Sequence, residues 1–303
     1  MMWNMLDNLS RTPPKGTTQL LQIAAHTDHT HERVFPFLLP PWRKTHADYS
    51  NRITIQDKAT EKDKATSDHL HSISPLKTSM NHIIVYTDGS QKVISKRTRR
   101  TGAAAVGFHQ GKEIFKRKIG LGGTAEVYDA ELTSLVLGLK AAISSAEPLP
   151  MIHHIHIYAD NTSAIASVTD PQPRQGQLLA HSFYRNMLQW LEKKPNNTLT
   201  IAWCPGHKDI PGNNRADQLA KQATSLASLS EPTITFNLRQ AREHLKDSWT
   251  TIWRNSSPQQ GSWSIANQTP LSLHLPHLSQ KITYLFVIGA LELEWFKNVK
   301  FRQ

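Results

Sequence analysis

The chain has 303 residues, enough for two ordinary domains or for one domain with long flanks. Its 35 Lys and Arg against 24 Asp and Glu give a formal charge of +11, which fits either an anionic partner or plain solubility, and its 38% hydrophobic content falls below the roughly 45–50% of a typical globular chain, so part of it should bury no core. One cysteine, Cys204, argues against a disulfide framework, a disulfide-linked partner or a Cys-rich zinc module, and with no apolar run of about 18 residues and no signal-like start at Met1 to Ser10, the expectation is a nuclear or cytoplasmic protein, neither secreted nor in a membrane.

Residues 1–81 are rich in Thr, His, Lys, Asp and Ser, are punctuated by Pro13-Pro14 and Pro40-Pro41, and read as a flexible N-terminal arm with one or two short helices. The character changes at His82, and 82–226 is expected to be one compact domain. His82 to Thr87 is a β-branched apolar run that reads as a buried strand. Thr101 to His109 and Lys112 to Gly120 read as strands joined by a tight turn at Gln110-Gly111. Thr124 to Ala146 has apolar residues at helical spacing. Ile152 to Ala159 reads as a strand, Asn161 to Val168 and Gln177 to Lys193 as helices, Thr198 to Trp203 as a strand, and Asn214 to Leu226 as a helix. That order predicts an α/β fold with a mixed five-stranded sheet, three antiparallel strands plus parallel βαβ units, flanked by helices and by loosely ordered terminal arms. Residues 227–303 read as a helical and irregular extension, opening with an amphipathic helix from Leu238 to Trp253.

Four acids stand at informative positions. Asp88 follows the first strand in Tyr-Thr-Asp-Gly-Ser, and Asp160 follows a later one in Tyr-Ala-Asp-Asn. If those strands are parallel neighbours, both acids reach the C-terminal sheet edge, where ligands bind in open α/β sheets. Asp-Gly and Asp-Asn are also ordinary turn dipeptides, so each alone has a structural explanation. Glu131 is spaced four residues from Val127 and from Leu135, on the stripe expected to face the sheet. No Lys or Arg at three or four residues' distance neutralises it, which leaves a metal ion or a basic group from another element. Asp217 falls in the first turn of the last helix, where the dipole welcomes an acid. His207, on a Pro-Gly loop, is either a solvated side chain or a mobile imidazole that moves protons. Taken jointly, such acids suit hard divalent cations, two of which can clamp the attacking and leaving oxygens of a phosphodiester.

Tyr-Thr-Asp88-Gly-Ser, Ala-Glu131-Leu, Tyr-Ala-Asp160-Asn, Trp-Cys-Pro-Gly-His207 and Gly-Asn-Asn-Arg-Ala-Asp217 resemble, in order, the motifs of type 1 ribonuclease H over residues 82–226. The resemblance implies a ribonuclease H-like fold and endonucleolytic cutting of the RNA strand of an RNA–DNA hybrid. It implies two Mg²⁺ ions, with Mn²⁺ as a substitute, and products with 5′-phosphate and 3′-hydroxyl ends. Asp88 would bridge both ions, Glu131 and Asp160 would hold one, Asp217 the other, and His207 would assist proton transfer or product release. Gly89, Ser90 and Asn161 would contact the substrate. Two positions depart from the pattern, Val127 and Asn214, and both concern hybrid recognition rather than the metal site. Grip on the hybrid would fall to Lys96, Arg97, Arg99 and Arg100 or to Lys116-Arg117-Lys118, which otherwise read as solvated hairpin charges.

Leu39-Pro40-Pro41-Trp42, Thr101 to Val106, Trp249 to Trp253 and Leu271 to Leu278 look similar to the ribonuclease H region of fungal non-LTR retrotransposon reverse transcriptases. That likeness implies a truncated copy of such an element. It leaves two other readings open: a catalytically weak or inactive nucleic-acid-binding remnant, and a module that serves a reverse transcriptase in trans. His26, His29 and His31, like His153, His154 and His156, read as polar surface or strand residues rather than metal ligands. Cys204 and Trp203 read as core.

Overall fold

The computed structural model describes residues 32–255, apart from 37, 41, 45, 57–60, 96, 97, 207, 229 and 230. Two compact units share the described chain, one ending at Ile234 and the other beginning at Thr235. In chain order the elements are β1 (Ile53–Gln56), α1 (Lys62–Ile73), β2 (His82–Val93), β3 (Arg99–His109), β4 (Lys112–Gly122), α2 (Val127–Ala146), β5 (His154–Ala159), α3 (Thr162–Thr169), α4 (Gln177–Lys193), β6 (Thr198–Trp203), α5 (Pro211–Ala223) and α6 (Ile234–Asn255). None of these helices is long and apolar enough to cross a membrane.

The sheet runs β1-β6-β5-β2-β3-β4. β1, β6, β5 and β2 are mutually parallel, and β3 and β4 add antiparallel neighbours. This is the mixed, helix-flanked ribonuclease H-like sheet expected, with one correction: it has six strands, not five. The extra strand is β1, which comes from the segment read as a flexible arm and pairs Ile53 with Leu199. Its four residues, Ile-Thr-Ile-Gln, are too few for alternation to stand out among polar neighbours.

β2 is buried on both faces, which is why it is a continuous apolar run rather than an alternating one. Ile83 and Val85 pack beneath α2, α3 and α4 with Leu132, Leu135, Leu139, Phe183 and Met187. Ile84 and Tyr86 face the other side, against Ile73 of α1 and Ala216, Leu219 and Ala220 of α5. Ala103, Ala104 and Ala105 in β3 are fully buried, so small side chains at mid-strand let helices settle close on both faces. At the hairpin between β3 and β4, Gln110 (φ 48°) and Gly111 (φ 72°) both take positive φ, as the expected two-residue turn demands.

β2 also departs from expectation in length. It does not stop before Asp88 but continues to Val93, because β3 keeps pairing with it through Asp88↔Ala104 and Ser90↔Gly102. The Asp-Gly pair that reads as a turn is therefore mid-strand. α2 opens with a capping box in which Glu126 and Asp129 serve each other's backbone N–H. In the second unit, α6 contains the amphipathic stretch from Leu238, and Arg239 pairs with Glu243 at 2.9 Å one turn on. The Leu271 to Leu278 stretch, the upstream His26, His29 and His31, and Lys96 and Arg97 lie outside the described residues.

Candidate metal centre

The parallel register of β2 and β5 pairs Tyr86 with Tyr158, so the acids two residues further along each chain leave the sheet together. Asp88 lies in β2 and Asp160 immediately follows β5. Glu131 arrives from the first turns of α2. The approach depends on Gly89, where a Cβ would fall 2.7 Å from the Glu131 backbone nitrogen and 2.9 Å from Ala130. Only a residue without a side chain lets α2 come this near. Carboxylate oxygens of Asp88, Glu131 and Asp160 all lie within 4.8 Å of one another.

Asp88 and Glu131 are 7% and 4% exposed, and the Oε2 of Glu131 has no hydrogen-bond partner. Burial, then the negative charges of Asp160 and Asp217, push the Asp88 carboxyl up to about 8, against the opposing pull of Lys221 and the Gly89 N–H. Burial, followed by Asp88 and Asp160, likewise holds Glu131 well above the usual carboxylate range. An orphaned buried carboxylate oxygen among three acids is the donor set a hard divalent cation fits. Asp160 is held from behind: the Trp203 indole N–H donates to its backbone carbonyl at 3.0 Å, and a Cβ at Gly206 would run into its carboxylate.

Asp217 stands apart from this trio. It faces Asp88 closely enough to raise it, but its Oδ2 accepts from Lys221 at 2.7 Å, one turn along α5. Because α5 starts at Pro211 rather than Asn214, Asp217 falls in its second turn instead of its first. His207 lies outside the described residues. Asn161 caps α3 through its side-chain oxygen, which accepts from Ala164 N–H at 3.0 Å. Ser90 is partly exposed in β2, beyond Gly89. Val127, expected on the buried stripe with Glu131, is instead 36% exposed at the first residue of α2.

Lys221, Trp203 and Gly206 were not legible as parts of the site. A lysine four residues after Asp217 reads as an ordinary helix-surface pair, and only the fold brings it to Asp88. Among the basic candidates, Arg99 is tied to Glu126 at 3.6 Å and Lys118 to the Gln222 side chain at 3.1 Å, whereas Arg100 and Lys116 are exposed.

The family model described as RNase H matches residues 80–225. No curated protein matches the chain. Among solved structures, the RNase H1 of Halobacterium salinarum NRC-1 is 19% identical, covering 47% of this chain and 97% of its own, with a TM-score of 0.35. The N-terminal RNase H domain of a Mycobacterium tuberculosis protein is 18% identical over 48% of this chain and 94% of its own, with a TM-score of 0.36. A foamy viral protease–reverse transcriptase, solved with an RNA/DNA hybrid, is 16% identical over 74% of this chain and 28% of its own, with a TM-score of 0.40. The RNase H family match, five of the six strands and the acid cluster thus fall on the same segment, residues 80–225.

Proposed function

We propose that this domain cuts the RNA strand of RNA–DNA hybrids by hydrolysis assisted by two divalent cations, Mg²⁺ or its substitute Mn²⁺. The observation that carries the reading is the meeting of Asp88, Glu131 and Asp160 within 4.8 Å, two of them buried, inside the matched segment. Asp88, Glu131 and Asp160 would hold the first ion, and Asp217, shared with Asp88, the second. Bound there, the ions would supply charge neutralisation at the scissile phosphate and a more acidic water. The protein's own part is to crowd carboxylates at a sheet edge in a rigid, partly dry setting. Lys221 competes with an ion for Asp217 in this scheme, since its ammonium bonds the Oδ2 of that carboxylate. His207 assists proton transfer or product release. Gly89, Ser90 and Asn161 line the approach to the acids and contact the hybrid.

The flanking motifs support derivation from a retrotransposon reverse transcriptase, which the domain would serve in trans. The ion pair between Asp217 and Lys221 favours a second reading, a hybrid-binding protein with weak turnover. A labelled-hybrid cleavage assay separates the two. Asp88→Asn is expected to abolish cutting in Mg²⁺ while hybrid binding persists. Undiminished cutting by that variant removes the metal-assisted reading, and a wild-type chain that binds hybrid without cutting at any Mg²⁺ level establishes the second.

A further inference from the structure

Helix α1 lies upstream of the segment matched by the family, yet it is seated directly behind the acids. His69, on α1, is 7% exposed, and its Nε2 lies 2.9 Å from the Tyr86 hydroxyl. Its ring also stands edge-on to Tyr158, with centroids 4.5 Å apart and planes at 88°. The two tyrosines are cross-strand partners and stack on each other at 5.4 Å and 28°. They are also the last rung of the β2–β5 ladder, which pairs His82 with His154 and ends at Tyr86 with Tyr158. Past that rung the β2–β5 backbone pairing ends, with the Thr87 hydroxyl donating to the Tyr158 carbonyl at 3.3 Å as a last tie, and the acids follow two residues later on each chain. Side chains two apart share a face of a strand. Asp88 therefore stands on the face where Tyr86 and Tyr158 stack, one layer nearer the sheet edge, and Asp160 leaves the end of β5 just past Tyr158.

We propose that His69 is a positioning residue for the acidic site, resting on the reading that Asp88 and Asp160 hold divalent cations. By bonding one tyrosine and bracing the other, the imidazole fixes the spacing of the rung from which both aspartates project. The groups around it leave the pair little room to shift. A Cβ at Gly212 of α5 would overlap the far side of the Tyr86 ring. Cys204, fully buried, lies in the same cluster. A second tie joins α1 to the loop behind Asp160: Lys208 Nζ lies 2.6 Å from Asp63 Oδ1. That pair is exposed and worth little alone. The buried hydrogen bond of His69 is the stronger constraint, because breaking it leaves a polar atom without water.

Groups that orient metal-holding carboxylates change metal affinity when removed, whereas a helix that only fills the core changes stability. The test measures both in the full-length chain. His69→Leu keeps bulk and removes the hydrogen bond; it is expected to weaken Mn²⁺ binding, read by calorimetry, by about tenfold and to lower kcat by about tenfold with KM for a labelled hybrid unchanged. His69→Gln, which can reach the Tyr86 hydroxyl, is expected to restore both. A His69→Leu protein that melts cooperatively with wild-type Mn²⁺ affinity and kcat overturns the proposal, as does a loss that Gln leaves unrestored. Should His69→Leu fail to fold, Tyr86→Phe deletes the hydroxyl alone. Weaker Mn²⁺ binding in it supports the proposal, and wild-type affinity overturns it. Absence of Mn²⁺ binding by the wild-type chain, or binding undisturbed by Asp88→Asn, overturns the acid-site reading along with this one, so the two failures have different signatures.

Discussion

Glu131 concentrates the tension of the site. It is nearly buried, one of its oxygens has no partner, and two other carboxylates lie beside it. Without a cation this arrangement costs stability, and with one it becomes an asset, since a ligand bound only by the folded state stabilises it by mass action. Glu131→Gln keeps the shape and removes the charge. It is expected to raise the metal-free melting temperature by about 2–4 °C, the shift that ~1 kcal/mol produces in a domain of this size. The same variant should lose the upward shift that Mg²⁺ gives the wild type. Calorimetric melts with and without Mg²⁺ check both halves, and a wild-type chain indifferent to Mg²⁺ contradicts the idea. Much of this was legible beforehand. The spacing of Glu131 from Leu135 put an acid on a buried stripe, and Asp88 and Asp160 each closed an apolar run. The role of Lys221 was not legible, because its neighbour Asp88 is distant in sequence and only sheet topology brings them together.

At the scale of elements, the strands and helices of the matched segment announce themselves through long apolar runs, and most of their bounds shift by only a few residues. The failures are instructive in physical terms. β2 runs on through Asp-Gly because pairing with β3 outweighs the local preference of those residues for a turn. α1 is mostly polar and charged, and its few apolar positions look weak in isolation. They matter because they land on a face of the sheet that α5 leaves uncovered: Ile73 is 2% exposed in the cluster with Ile84, Tyr86 and Tyr158. Further upstream, Arg52 donates from one guanidinium nitrogen to the carbonyls of Leu191 and Lys194, closing the C-terminal end of α4. α1 is thus an integral part of the body. Ile73→Ala is expected to destabilise the chain by about 2–5 kcal/mol, the cost of a buried Ile→Ala cavity. A urea titration measures it, and a change within about 0.5 kcal/mol, as at an exposed position, would mean that α1 is not packed as described.

Across the whole molecule, charge and protonation divide the labour between the two ends of the sheet. At the end opposite the acids, His82 and His156 share a contact of 2.8 Å, and His82 stacks on His154. Burial, then His82 and His154, pushes His156 down to about 3. A base whose folded value lies below its unfolded one makes the unfolded chain take up the extra proton, so stability is lost as pH falls from about 6.5 toward that value. Burial and His154 lower His82 in the same direction. The melting temperature of the wild type should therefore fall more steeply between about pH 6.5 and 4 than that of His156→Leu, and parallel profiles would refute the linkage.

The acidic end works by attraction. With a formal charge of +11, the chain should bind a polyanion through counterion release, weakening steeply with salt. The sheet register says which cations share the face of Asp88. Asp88 lies across from Ala104, and Ala104 across from Lys118, while Lys116 falls in line with Val106 and Tyr86. Strands lie about 4.8 Å apart, so Lys118 stands roughly 10 Å from Asp88 along that rung. Arg117 points to the opposite face, although in sequence the three cations look alike. Replacing Lys116 and Lys118 with Gln is expected to flatten the slope of log affinity against log salt by about 2, near one unit for each phosphate no longer neutralised, whatever the hybrid's sequence. Because neither side chain reaches the acids, kcat at saturating hybrid should hold. Equal slopes for variant and wild type would move the grip elsewhere on the surface, and a fall in kcat at saturation would place these lysines in the chemistry instead of in the capture of substrate.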